Sequence, residues 1–251
     1  MMPHRAQVTN VGTIGFEVPP LEESRRVRLE LRLFDQTGEL ITRNHQELYF
    51  FPRHIAEPGE ALLYAPTLAE QLRVRGYRLT DDVSAADIAV VEQMTDELRL
   101  YVQNGGRVLW LAEDEEAQQT YLSTGGGGTL GIARRDGSKW QGDWASNMNW
   151  ICQDHMFRHI PTGGTVDFAF ADLVPEQVIT GLSPRDFATD VHSGLFVGWL
   201  HHTVALIAER NIGAGRLLIS TYQLREHLTD HPVAAVMLHD MVTHLMRSSK
   251  V

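Results

Sequence analysis

The sequence predicts an α/β protein: a mostly parallel sheet preceded by a short antiparallel β segment. Three observations carry this expectation. Ile88–Val91 and Val108–Ala112 are short, wholly apolar runs bounded by Asp87, Glu92, Arg107 and Glu113. Runs of this kind are strands buried on both faces. One helix-length segment, Asp96–Asn104, lies between them, with Leu98, Tyr101 and Val102 apolar and Gly105–Gly106 as its stop. Strand, helix, glycine stop and strand make the βαβ unit of a parallel sheet. Finally, Arg26–Phe34 alternates cleanly, with Val27, Leu29, Leu31 and Leu33 on one side and Arg26, Arg28, Glu30 and Arg32 on the other. That is the pattern of a half-buried strand.

Taken in order, residues 1–52 hold three or four strand pieces and no helix signal. After Arg26–Phe34 and the turn Gln36–Gly38 come Leu40–Thr42 and Glu47–Phe51, stopped by Pro52. This is part of an antiparallel β-sandwich, and so few strands are marginal in water by themselves. Residues 53–60, with Pro58–Gly59, read as a linker, and residues 61–251 as the α/β domain. Ala61–Tyr64 is a short apolar piece. Thr67–Arg75 is a small helix stopped by Gly76, and Tyr77–Thr80 is a brief strand. The central βαβ unit follows. Residues 115–165 then break the alternation, a length of irregular chain that is often functional or an ordered insertion. Val166–Phe170 reads as a strand and Val178–Gly181 as loop. Val204–Ala208 and Arg216–Thr221, joined by Asn211–Gly215, read as a hairpin. Pro232 is placed as the first residue of a helix whose stripe is Val236, Met237, Met241, Val242 and Leu245.

Composition narrows the function classes. A net charge of −10 argues against nucleic acid or an anionic membrane as the main partner. A single cysteine, Cys152, rules out an internal disulfide framework and any cysteine-based zinc site. No apolar run approaches the roughly 20 residues that span a bilayer. With no apolar leader at the N-terminus, a cytoplasmic location is expected.

Two parts of the chain point to one family. Arg26–Pro52, RVRLELRLFDQTGELITRNHQELYFFP, resembles the last strands of the immunoglobulin-like sandwich in glycoside hydrolase family 2 proteins (β-galactosidase-like enzymes). The matching residues are Leu29, Leu31, Leu33, Asp35, Gly38, Asn44, Glu47, Leu48 and Pro52. Residues 61–246 resemble the flavodoxin-like, class I glutamine-amidotransferase-like domain that follows that sandwich in some members, with GRLLISTYQLREHLTDHPVAAVMLHDMVTHL as its ending. The resemblance implies a flavodoxin-like domain behind a partial immunoglobulin-like β-sandwich. It also implies a carbohydrate-metabolising parent whose two catalytic carboxylates sit on a TIM barrel. A barrel needs about 200 residues or more, so no catalytic Glu carries over onto this chain. The implied role is a non-catalytic accessory C-terminal module acting as scaffold, oligomer interface or rim of the substrate cleft. Its partners would be the catalytic barrel, encoded upstream of Met1, or oligomer mates, and no cofactor is called for.

The residues agree that an evident nucleophile is missing. An amidotransferase needs a cysteine thiolate at a sharp strand-to-helix turn, activated by a histidine. The turn after Val108–Ala112 reads Ala112–Glu113–Asp114 instead, and Tyr222–His227 lacks the late His-x-Glu. Cys152 with His155 is the residual pair for a stand-alone hydrolase, against the plainer reading of Cys152 as a small buried residue. Asp87, Glu92 and Glu113–Glu116 fall at strand ends and would suit paired-carboxylate chemistry, although acids at loop ends are usually solvated. His155 and His159, and His227 and His231, are spaced i, i+4, but Pro232 denies the second pair a shared helical face. No metal site is therefore expected. Gly125–Gly128 lacks the following helix and lysine of a phosphate loop. Trp140, Trp144 and Trp150, with Asp143 among them, offer ring faces and polar edges suited to a sugar. They serve equally to pack an insertion onto the sheet.

Overall fold

A computed structural model describes residues 12–115, 117, 121–124, 128–135, 147–153, 156–197 and 202–247. The first described strands are two long ones, β1 (Arg25–Phe34) and β2 (Leu40–Phe50), paired among the described residues only with each other as an antiparallel hairpin. The register sets Val27 opposite Leu48 and Leu29 opposite Gln46, so the apolar row of β1 lies on one face. The described residues of this segment thus form two strands, where the sequence pattern suggested three or four. Asp35 closes the turn, accepting from the backbone N–H groups of Thr37 and Glu39 at 2.8 Å each.

The rest builds one sheet. Its elements are β3 (Leu62–Tyr64), α1 (Ala69–Val74), β4 (Arg78–Thr80), β5 (Ile88–Val91), α2 (Asp96–Gln103), β6 (Arg107–Leu111), β7 (Tyr121–Thr124), β8 (Gly128–Arg134) and β9 (Asn147–Ile151). They continue with β10 (Gln177–Thr180), α3 (Asp186–Thr189), β11 (Val191–Val197), β12 (His202–Ile212), β13 (Gly215–Ser220) and α4 (Pro232–Met246). Among the described residues this is an 11-stranded sheet ordered β4-β3-β5-β6-β13-β12-β10-β8-β7, with β11 on β12 and β9 on β11. Strands β4 to β13 in that order are parallel. Everything beyond β13 is antiparallel.

This overturns the expectation of a flavodoxin-like domain with a mostly parallel sheet. The sheet is mixed, and among the described residues its antiparallel strands are connected through no α-helix longer than the four-residue α3. The sequence hid that part for a physical reason. In β8 the inward Leu130 and Ile132 are interleaved with Gly131 and Ala133 instead of polar residues. In β10, Gln177, Val178 and Ile179 are all buried, so no period of two is visible. Residues 166–170, read as a strand, instead lead into a 3₁₀ helix at Phe168–Leu173, because the Asp167 carboxylate accepts from the Ala169 N–H at 3.0 Å.

The parallel half follows its local signals. Thr95 caps α2, its hydroxyl accepting from the Leu98 N–H at 3.3 Å. Gly105, at φ +106°, ends that helix in the left-handed conformation. Along β5 and β6, Ile88, Val90, Leu109 and Leu111 face a core shared with α1 and α4. Ala89, Val91, Val108 and Trp110 face a second core closed by Leu98 and Val102 of α2. Both faces are dry, which is why these strands are apolar without alternation. The hairpin joins this body through the Tyr49 hydroxyl, which donates to the Asp167 carboxylate.

Candidate functional site: the carboxyl edge of the parallel strands

Strands β5, β6 and β13 end side by side at Val91, Leu111 and Ser220, so the residues that follow converge on one edge. Glu92 follows β5, Glu113 and Asp114 follow β6, and Arg225 lies beyond β13 in a short 3₁₀ turn. Arg225 gathers the three acids. Its Nη1 lies 3.1 Å from Glu92 and 3.4 Å from Asp114, and its Nε lies 3.2 Å from Glu113. Its backbone N–H also points at both Glu113 oxygens, at 3.3 Å. Glu113 is 4% exposed. Burial pushes its carboxyl up to about 7, while Arg225 and two backbone N–H groups pull against that rise.

Next to this cluster a crevice of about 230 Å³ opens between the ends of β3 and β5, lined by Tyr64, Pro66, Thr67, Glu92, Gln93 and Thr95 among others. The topology explains it. The chain leaves β3 toward β4 and returns on the other side as β5, so the two connections diverge and leave a gap at the strand ends. With Glu92 and Glu97 on its walls, the crevice repels phosphates and suits neutral hydroxyl-rich or cationic groups. Among the described residues no side chain here is arranged as a nucleophile, and Glu92, Glu113 and Asp114 are held by one arginine.

The residues singled out in the sequence scatter. Cys152 follows β9, and its backbone N–H donates to the His192 carbonyl at 2.7 Å, at the far side of the sheet from the end of β6. It stands at a strand end beyond β11 rather than at a strand-to-helix turn. The amidotransferase reading therefore finds no support. Its proposed partner His155 lies outside the described residues, as do Trp140, Asp143, Trp144, Glu116 and residues 125–127. Trp150 is half-buried in β9 and packs on Phe196, with ring centroids 6.1 Å apart. The space where a Gly194 side chain would begin is only 2.7 Å from its ring. Its indole N–H is buried without a hydrogen-bond partner. His159 pairs with the buried Asp240 at 2.6 Å. His227 and His231 stack edge to face before α4, which starts at Pro232. Arg225, the residue that organises the edge, carried no signal in the sequence, because its three partners are more than a hundred residues away in the chain.

The chain belongs to the family described as Domain of unknown function (DUF8487), whose model matches residues 89–251. None of the curated proteins compared with it matches. Solved structures similar to it include a cytoplasmic protein from Salmonella typhimurium, at 10% identity and a TM-score of 0.43 over 90% of this chain and 97% of that one. They also include a β-galactosidase from Rahnella sp. R3, at 12% identity and a TM-score of 0.39 over 74% of this chain and 31% of the enzyme. An exo-β-1,4-mannosidase from an Opitutaceae bacterium is similar at 10% identity and a TM-score of 0.38, over 76% of this chain and 36% of the enzyme. The chain thus spans about a third of the length of each glycosidase. No helix among the described residues is long and apolar enough to cross a membrane.

Proposed function

We propose that this chain is a non-catalytic accessory module of a glycoside hydrolase family 2-like enzyme of carbohydrate metabolism, working in the cytoplasm as scaffold or interface. The observation that carries the reading is the bare hairpin. Val27, Leu31 and Leu33 of its apolar row are 39%, 41% and 56% exposed, although the strand alternates as a half-buried strand should. Two strands do not hold an apolar face in water without a cover. The cover we assign is a β-sandwich surface of the glycosidase, by the resemblance of Arg26–Pro52 to sandwich strands. The ion-paired carboxyl edge supports a role without catalysis of its own. A free general acid and base are needed for glycoside hydrolysis, and Glu92, Glu113 and Asp114 are all engaged by Arg225.

Two measurements test this. The purified chain should not hydrolyse nitrophenyl β-galactoside or β-mannoside, and a turnover abolished by Glu92→Gln would sink the non-catalytic reading. In calorimetric titration, the chain should bind the catalytic portion of such a glycosidase from the same genome. Leu31→Asp/Leu33→Asp should remove that binding, and unaltered binding by the double variant would refute the docking face. A sugar-binding role through Trp140, Asp143, Trp144 and Trp150 is a second reading, favoured by the buried indole N–H of Trp150, which lacks a partner. Tryptophan fluorescence unchanged across a panel of oligosaccharides would dispose of it.

A further inference from the structure

At the opposite edge of the sheet, away from the crevice, three side chains from three elements converge. His192 comes from β11, Glu209 from β12 and His244 from the last turn of α4. One ligating atom of each lies within 4.8 Å of the other two. The carboxylate Oε2 of Glu209 is 2.6 Å from His244 Nε2 and 3.6 Å from His192 Nε2, and the two rings meet edge to face at 5.3 Å. We propose that this trio binds one divalent transition-metal ion, of which zinc is the first choice, and so fastens α4 to the antiparallel half of the sheet.

Three observations support this. Pairing of β11 with β12 slips between Val191 and Ser193, which makes His192 the extra residue of a bulge. A bulge re-aims one side chain out of the strand's alternation, and this one sends the imidazole to Glu209. The Nε2 of His192 is buried and has no hydrogen-bond partner, because 3.6 Å is beyond bonding reach. A buried polar atom left so is costly, and a metal ion would satisfy it. Finally, His244 Nε2 faces two groups with opposite demands. The Glu209 oxygen at 2.6 Å asks it to donate, while the Arg216 guanidinium at 3.1 Å asks it to accept. One ring nitrogen does only one of these. A cation between Oε2 and the two Nε2 atoms lets both imidazoles present lone pairs. Arg216 then keeps Glu209 Oε1, at 2.7 Å from its Nε, as the outer partner that orients the carboxylate. Its Nη1 is anchored separately by the carbonyls of Leu245 and Arg247 at 3.3 and 2.8 Å. Two imidazoles and one carboxylate are a zinc donor set with a position left for water, and a poor set for magnesium or calcium, which prefer oxygen.

The test is titration of the metal-stripped full chain with zinc chloride by calorimetry, in a buffer that does not bind metal. The expected result is one ion per chain with micromolar affinity or better, no heat with magnesium, and visible cobalt(II) absorption of the intensity of a four-coordinate site. His192→Ala removes no hydrogen bond and should fold, yet should weaken zinc at least 30-fold and erase the cobalt band. His227→Ala, in a separate histidine pair with His231, should leave both unchanged. Absence of zinc binding by the wild-type chain, unchanged affinity in His192→Ala, or loss in His227→Ala instead would overturn the assignment.

Discussion

Arg225 holds three carboxylates at once, and this makes the carboxyl edge sensitive to single changes. Arg225→Met would leave the 4%-exposed Glu113 facing Glu92 and Asp114 without a cation. Removing one partner of a buried pair costs about 3 kcal/mol or more. Urea denaturation should therefore show a loss of about that size, and a change below about 0.5 kcal/mol would mean the cluster is ordinary surface. The same site sets a pH dependence. The Glu113 carboxyl rises from 4.5 to about 7 on folding. Between those values the folded chain holds a proton that the unfolded chain has released. Stability therefore falls as pH rises through the window, by about 3 kcal/mol in all. Glu113→Gln should flatten that fall in urea titrations at successive pH values. A fall of comparable size, lying between about pH 4 and 6, should remain from Asp240, which burial pushes from 3.8 up to about 6. An unchanged pH slope in the variant would place the titration elsewhere.

At the scale of elements, the tight connection of β12 to β13 is a closely constrained join. Gly213 sits at φ +61°, and a β-carbon there would lie 2.3 Å from the Gln103 carbonyl oxygen. The turn also docks on the end of α2, where the Ala214 N–H donates to that same carbonyl at 3.1 Å. Gly213→Val should cost about 2 kcal/mol or more by thermal or urea unfolding. The β1–β2 hairpin is the contrasting case. Leu33 is 56% exposed, so Leu33→Asp should move stability by no more than about 0.5 kcal/mol while removing the proposed docking face. A large destabilisation there would show that the hairpin packs on the body of the molecule. Legibility in the sequence divides along the same lines. β1, β5, β6, α2 and α4 were readable because their periodicity, caps and glycine stops are local. β8 and β10 were not, because small residues replace the polar half of the alternation in β8 and burial of consecutive residues erases it in β10.

Over the whole molecule, the dry centre is the run β3-β5-β6-β13, covered by α1 and α4 on one face and α2 on the other. Amide hydrogen exchange should be slowest in β5, β6 and β13, and fastest in the β1–β2 hairpin, which shares no ladder with the main sheet. Uniform protection across the chain would contradict that order. The two side-chain clusters, around Arg225 and around Glu209, lie at opposite ends of this centre, so substitutions in one should leave the other's behaviour unchanged.

By itself the sequence determined the βαβ centre, the alternating first strand, the start of the last helix and the lack of a nucleophile after β6. Each of these is written in neighbouring residues and follows from the periods of helix and strand. Only the tertiary structure decided that the sheet is mixed, that Arg225 collects Glu92, Glu113 and Asp114, and that a bulge turns His192 toward Glu209 and His244. Those groupings join residues far apart in the chain, and the free energy that selects them comes from burying both faces of one sheet, which no local pattern records.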